Sequence, residues 1–355
     1  MSGESRQMGA DEAAGRGGFA VRVPNWLGDG VLAVPAVRAL ASGSGGSGVI
    51  VLASGSSGEV FARVPGAVAC VIATAGGGQV RSLKTAFAGA AILRAHRPDA
   101  VVSLTGSFTS ALMCYLGGVP RRIGFADAAG GFLYSERVAH RRTAGRHLCD
   151  TFCEVVESAG VKVEDRVPRV VAALGDLEAG RRKIASVGLQ PGGYVCLFPG
   201  ARYGPSKRWG SERFALLGDA VVAKLGRDVA VVGGAEDRAA CDAVRSAMEH
   251  PAADLAGRCG FPELVGIIAQ SAGVVANDSG GMHLAAALGV PVVGLFFSTD
   301  PGWTGPVSPR AVALYNRAEC SPCFRRHCSL GERCTGSIGV DEAVRALAAL
   351  LEGPA

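Results

Sequence analysis

Short, almost wholly apolar runs recur along the chain, and each leads into a loop rich in glycine or small residues. Ala20-Val21-Arg22-Val23, Val49-Ile50-Val51-Leu52-Ala53 and Ala100-Val101-Val102-Ser103-Leu104 set the rhythm in the first half. Tyr194-Val195-Cys196-Leu197-Phe198, Val229 to Val232, Gly273 to Ala276 and Val292 to Phe296 repeat it in the second. Runs with so little polar alternation are buried on both faces, as strands of a helix-covered parallel sheet are. Amphipathic stretches lie between them. They predict a helix ending near Leu40, one from about Ser107 to Leu116 and one starting near Met282 and running through Ala287. A last helix over 340–351 places Val340, Val344, Leu347 and Leu351 on one face. The βα alternation predicts an α/β fold of two similar, doubly wound, Rossmann-like parallel-sheet domains facing each other across a cleft.

The punctuation gives the domain limits. Residues 1–18 are polar and glycine-rich without an apolar stretch, and predict a disordered tail. Residues 19–175 form the first domain. The polar stretch and Pro191-Gly192-Gly193 mark 176–192 as an interdomain connection. Residues 193–339 form the second domain, and the helix in 340–355 is expected to pack back on the first.

Composition narrows the function classes. With 355 residues, 48% hydrophobic and 19% charged, the chain has the make-up of a two-domain globular protein. Aromatics at 6% disfavour a base-stacking platform, and a net charge of +5 is far below that of a DNA-coating protein, so no nucleic-acid partner is expected. No apolar run reaches the roughly 18 residues of a spanning helix; the nearest, Leu284 to Phe297, is broken by Gly289 and Pro291. The expectation is a cytoplasmic protein whose membrane contact, if any, is peripheral. Between 121 and 147, Arg121, Arg122, Arg137, Arg141, Arg142 and Arg146 face only Asp127 and Glu136, a clustering suited to an anionic partner or to a plain solvated face.

Ligands of open parallel sheets bind beyond the carboxyl ends of the strands, so the loops there carry the candidate chemistry. After the strand ending at Phe198 comes Pro199-Gly200-Ala201-Arg202-Tyr203-Gly204-Pro205-Ser206-Lys207-Arg208-Trp209. No G-x-x-x-x-G-K-[ST] is present, so a Walker-type hydrolase is not supported. Such a loop closes on a phosphate with backbone amides and one mobile cation, or is an exposed basic loop. Val275 to His283 reads V-A-N-D-S-G-G-M-H, which is either an N-capped turn or an anion-binding helix start. Glu236, after Gly233-Gly234, could hold a ribose diol or cap a helix. Asp29 in Pro24-Asn25-Trp26-Leu27-Gly28-Asp29-Gly30 is an ordinary N-cap or a general base. Of eleven cysteines, Cys320, Cys323, Cys328 and Cys334 lie close together; their spacing matches neither a zinc ribbon nor a common ferredoxin run, leaving a metal, free thiols or a labile disulfide.

Taken together, these loops resemble the heptosyltransferases of lipopolysaccharide inner-core synthesis, glycosyltransferase family 9. N-W-L-G-D-G at 25–30 is similar to the family's W-x-G-D loop, and S-F-T-S-A-L with P-R-R-I-G-F in 107–125 to its S-x-R-S-A…R-x-G-F segment, with Thr109 where arginine is common. P-G-A-R-Y-G-P-S-K-R-W at 199–209, N-D-S-G-G-M-H at 277–283 and C-S-P-C-x4-C complete the set, the last resembling the tail of the type II branch. The resemblance covers nearly the whole chain after residue 18. It implies a GT-B fold and inverting, metal-independent transfer of L-glycero-D-manno-heptose from ADP-heptose to a heptose hydroxyl of a heptosyl-Kdo2-lipid A type acceptor, with no cofactor.

The same resemblance implies the roles. Asp29, on the acceptor domain, would be the base. Lys207, Asp278, Ser279, Gly280, Gly281 and His283 would hold the donor diphosphate and sugar, and Glu236 the ribose. Arg121 and Arg122 would face the phosphorylated acceptor, with transient contact to the inner face of the inner membrane. No metal is implied. Two other readings fit the same residues. One is a GT-B transferase with another nucleotide sugar or acceptor, heptosyltransferase I or a protein acceptor included; the other is a non-catalytic nucleotide-sugar-binding homologue.

Overall fold

The computed structural model describes residues 18–46, 48–71, 78–139, 145–330 and 333–353. Residues 1–17 of the expected tail, and Arg141 and Arg142 of the arginine-rich segment, lie outside them.

The described residues form two six-stranded, wholly parallel sheets. The first contains β1 (Phe19–Arg22), β2 (Val49–Ala53), β3 (Ala67–Val71), β4 (Ala100–Ser103), β5 (Arg121–Phe125) and β6 (Glu136–Val138), in the order β3-β2-β1-β4-β5-β6. The second contains β7 (Tyr194–Phe198), β8 (Asp228–Val231), β9 (Ala253–Asp254), β10 (Gly273–Asn277), β11 (Val292–Leu295) and β12 (Ala311–Leu314), in the order β12-β11-β10-β7-β8-β9. Both run outward on one side of the first strand, then cross back to the other side. This is the doubly wound order, whose reversal opens a crevice at the carboxyl ends of the two central strands. The apolar runs are why: β2 and β7 are buried at every residue, and so are β4 and β10. Burying each Val, Leu or Ile contributes about 1.5–3 kcal/mol.

The strands that the apolar pattern did not show are the short or peripheral ones. β9 has two residues, β12 is only half-buried, and β5 opens with Arg121 and Arg122.

By packing, the chain divides into two compact units. The first holds the described residues up to 25, with 35–141 and 152–165; the second holds 26–34, 142–151 and 166–355. These limits differ from the expected ones in three places. The helix Leu27–Leu32, with Asp29, belongs to the second unit through its packing on the helix Gly280–Ala287. The expected connection over 176–192 begins inside the helix Leu174–Ala185, which packs on the helix Phe261–Ala269. The final helix, Val340–Glu352, joins the core of the second unit rather than the first. It lies against β10, β11, β12 and the helix Ser211–Leu225, with Val344 and Leu347 buried beside Trp209, Phe214 and Val293. Its apolar face fits that core.

Two glycines set the closest approach of these helices. A Cβ at Gly266 would stand 2.0 Å from the Asp176 carbonyl oxygen, and one at Gly180 would stand 2.4 Å from the Gly266 carbonyl carbon. The obstacle is backbone, so it cannot swing aside. Gly266→Ala should therefore destabilise the second unit by about 1–3 kcal/mol, the range for overpacking. Calorimetry should show its melting temperature several degrees lower; an unchanged melting temperature would mean that the helices separate freely.

Candidate functional site

In the second unit β7 and β10 are the neighbouring central strands, so the loops that follow them meet at the crevice. Asn277 closes β10 and ties the loops together. Its buried side-chain oxygen accepts from the Trp209 amide at 3.1 Å, and its Nδ2 donates to the Pro199 carbonyl at 2.7 Å. The indole of Trp209 donates to the Ile338 carbonyl at 3.1 Å and packs edge-on against Phe214. The far side of the loop is held by the cysteine-rich segment. The Tyr203 hydroxyl donates to the Phe324 carbonyl at 2.5 Å, the Ser206 amide donates to the Arg326 carbonyl at 3.3 Å, and the Ser206 hydroxyl donates to the Arg325 carbonyl. A Cβ at Gly204 would stand 2.5 Å from the Arg326 carbonyl oxygen, so glycine is what lets the two segments close. Lys207 thus projects from a short 3-10 turn, Pro205–Lys207, braced on both sides.

Its ammonium donates to Oδ2 of Asp278 at 2.5 Å, and the Thr299 hydroxyl donates to the same oxygen at 2.7 Å. Nε2 of His283 lies 3.9 Å from the other carboxylate oxygen. Asp278 and His283 are only 6% and 4% exposed. Burial pushes the His283 imidazole down to about 4, with Asp278 opposing and the His147 and Lys207 charges adding to the fall. At neutral pH the ring is therefore neutral, and its Nδ1 is buried without a hydrogen-bond partner. Asp29 is not the N-cap, a position held by Trp26, but lies inside the first turn of Leu27–Leu32. Burial pushes its carboxyl up to about 6; Lys207 pulls it down and Asp278 pushes it up. The Lys207 ammonium thus pairs with Asp278 while its field reaches Asp29. Asp29 is mostly ionised at neutral pH, yet basic enough to accept a proton, the property wanted of a general base.

The helix Gly280–Ala287 starts two residues earlier than the pattern suggests, with Ser279 as its N-cap residue. The Ser279 hydroxyl makes no capping bond and is buried without a partner. Packing accounts for both glycines of the helix start. A Cβ at Gly280 would stand 2.9 Å from the Leu27 side chain, and one at Gly281 would stand 2.6 Å from the Phe198 ring. On the facing helix, a Cβ at Gly28 would stand 2.8 Å from the His283 ring. The glycines let the Asp29 helix seat against the His283 helix.

Glu236 comes from the loop after the neighbouring strand β8. It is in the turn Ala235–Asp237, where its carboxylate faces the Arg202 guanidinium at 3.7 Å, and Arg202 in turn covers the ring of Trp26 at 5.2 Å. Arg121 and Arg122 are in the first unit, at the amino end of β5 and not at the carboxyl ends of the strands. Arg121 pairs with Glu136 through two bonds, 2.8 and 3.1 Å, while Arg122 donates to the carbonyls of Val119, Pro120 and Leu133. Cys320, Cys323, Cys328 and Cys334 are not joined in disulfides, and no group of three or more metal-ligating side chains among the described residues is arranged to hold an ion.

Three residues were missed from the sequence. Thr299 follows β11 and shares Asp278 with Lys207. His147 accepts at Nδ1 from the Cys149 amide at 3.2 Å, so its other nitrogen carries the proton and donates to the Gly305 carbonyl at 3.1 Å. In the first unit, Arg22 is a buried cation that donates to the carbonyls of Val23 and Leu52 and to Oδ1 of Asn25, pinning the residue before Trp26. Burial pushes its guanidinium down to about 10. A lone threonine, histidine or strand arginine carries no pattern that would single it out.

Comparison with known proteins bears on this cluster. Residues 88–333 match the model of glycosyltransferase family 9 (heptosyltransferase). Lipopolysaccharide heptosyltransferase 2 of Escherichia coli K12 is 27% identical over 299 residues, 81% of this chain and 85% of its own. Lipooligosaccharide heptosyltransferase 2 of Haemophilus influenzae is 37% identical over 120 residues, 33% of this chain and 34% of its own. The solved structure of Escherichia coli ADP-heptose heptosyltransferase II superposes with a TM-score of 0.78 at 24% identity, covering 94% of this chain and 98% of that one. That likeness shows the expected GT-B fold. With the family model spanning both the first unit's later strands and the whole Lys207–Asp278–His283 cluster, the chain belongs to glycosyltransferase family 9, the heptosyltransferases.

Proposed function

We propose that the chain is an inverting, type II-like heptosyltransferase, moving heptose from ADP-heptose to a heptose hydroxyl of the lipopolysaccharide inner core. The observation that carries this is the cluster in which Lys207 pairs with buried Asp278 while its field reaches a carboxyl, Asp29, whose basicity burial has raised. Inversion in one displacement needs a single base on the face away from the leaving group, and Asp29 supplies it by taking the acceptor hydroxyl proton. Charge grows on the departing diphosphate. The Lys207 ammonium and the amides at the Ser279-Gly280-Gly281 helix start stabilise it without a metal. Neutral His283, packed beside them, offers a hydrogen bond to phosphate or sugar rather than a second charge. Glu236 takes the ribose hydroxyls once Arg202 moves from it. Arg121 and Arg122, braced at the amino end of β5, act on an anionic acceptor through their field rather than by direct grip. Such an enzyme works in the cytoplasm, at the inner face of the inner membrane.

The acceptor is what separates the branches of the family. Mass spectrometry of products from ADP-heptose with truncated core acceptors bearing zero, one or two heptoses decides it. Addition only to the one-heptose acceptor is the expected result. Addition to the heptose-free core would make the protein a type I enzyme, and no product with any of the three would end the proposal.

A further inference from the structure

The first unit carries a surface helix of unusual make-up. Phe108–Leu116, sequence FTSALMCYL, contains no charged residue. Its buried side, Ser110, Ala111, Met113 and Cys114, faces the core, yet the opposite side is not polar. Phe108 and Tyr115, at i and i+7, share one outward side, while Leu112 between them packs partly on the core. Phe108 is 47% and Tyr115 53% exposed. The neighbouring 3-10 turn, Gly131–Leu133, packs on this helix and extends that side with Phe132, which is 74% exposed. A Cβ at Gly130 would stand 2.8 Å from the Phe108 ring, so the turn and the helix form one continuous face.

Cations rim it. The Arg122 guanidinium covers the Tyr115 ring at 5.7 Å. Arg94 donates to the Leu116 carbonyl at 3.1 and 2.7 Å, holding its charge at the helix's carboxyl end, and Arg97 lines the recess beside it with Gly117 and Gly118. Arg121 is paired with Glu136, and Asp99 lines the same recess as Arg97. Exposed aromatics flanked by arginines are what an anionic bilayer surface selects: rings settle at the level of the headgroups while guanidiniums meet phosphate.

We infer that this face, Phe108, Tyr115 and Phe132 with Arg94, Arg97 and Arg122, docks the protein on an anionic lipid bilayer. It deepens the proposed function, because an acceptor anchored in a membrane must be reached from its surface, but its test is independent of transfer.

The full chain is sedimented with vesicles of phosphatidylglycerol and phosphatidylcholine, and with phosphatidylcholine alone, with no donor or acceptor present. Wild type should pellet with the anionic vesicles and largely remain in solution with the neutral ones. Phe132→Glu should weaken that binding by about tenfold or more, the scale of one aromatic side chain's burial. Leu216→Glu, at another exposed apolar position, in the second unit (59%), should leave it unchanged. Both sites are exposed, so both variants should melt like wild type. With a water-soluble, deacylated core acceptor Phe132→Glu should turn over normally, and with the acceptor held in vesicles it should show a raised KM. Wild type that ignores anionic vesicles overturns the inference, as does Phe132→Glu that binds like wild type. A wild-type dimer that Phe132→Glu dissolves would make the face a self-association surface and overturn it too. Failure of transfer with the soluble acceptor would count against the proposed function and leave the vesicle result standing.

Discussion

Asp29→Asn should lower kcat by about a hundredfold to ten-thousandfold, the usual contribution of a positioned base, while donor affinity measured by calorimetry stays within a few-fold. The side chains are nearly identical in size, so the substitution removes basicity and leaves the packing of Leu27–Leu32 on Gly280–Ala287 in place. The wild-type rate should fall as pH drops through about 6, where the Asp29 carboxyl takes up its proton, and the variant should lack that limb. Stability moves the other way. Because burial raises the Asp29 pKa above its unfolded value of 3.8, protonation favours the folded state. The associated stability is fully present below 3.8 and is lost as pH rises through about 6. A neutral asparagine escapes that loss, so Asp29→Asn should melt higher than wild type near pH 7. A variant that retained near-full transfer would remove Asp29 from the reaction.

This opposition also explains what could be read in the sequence. The apolar runs gave away β1, β2, β4, β7, β8, β10 and β11, because a strand buried on both faces has no polar positions to blur it. The loops of Lys207 and Asp278 stood out for the same reason, as glycine- and charge-bearing breaks at the ends of such strands. What stayed hidden depends on contacts distant in sequence. Nothing in N-W-L-G-D-G shows that its helix packs with the second unit; that follows from Gly28 opposite His283 and Gly280 opposite Leu27. The Gly180–Gly266 approach is likewise silent, since a glycine pair looks like a loop until both partners are placed. Arg121 and Arg122 illustrate the converse. Their charge was conspicuous, but Glu136 and the turn carbonyls engage both guanidiniums. The tail's cysteines drew attention to metal, whereas the backbone around them, at Phe324, Arg325 and Arg326, is what supports the lysine loop.

Lys207 carries the second large effect, and its ion pair makes a simple deletion ambiguous. Lys207→Met should cost roughly a hundredfold to a thousandfold in kcat, the scale for losing one donor to a developing oxyanion, and should weaken ADP-heptose binding. It also strands the Asp278 carboxylate, 5% exposed at its side chain, with Thr299 as its remaining hydrogen-bond donor. Breaking a buried pair from one side destabilises by about 3–5 kcal/mol, so lost activity alone could be lost fold. Adding Asp278→Asn separates the two. The double variant no longer buries an uncompensated charge and should recover most of the melting temperature, yet transfer should remain as low as in Lys207→Met. If transfer recovered along with stability, the lysine would serve only to neutralise Asp278, and the diphosphate would need another cation. Arg202, held against Trp26 and Glu236, is then an alternative on the same loop. Arg202→Met in the double-variant background would show whether it had taken over: a further fall in donor affinity would assign the charge to Arg202, and no change would leave the helix start at Ser279 as the anion's principal partner.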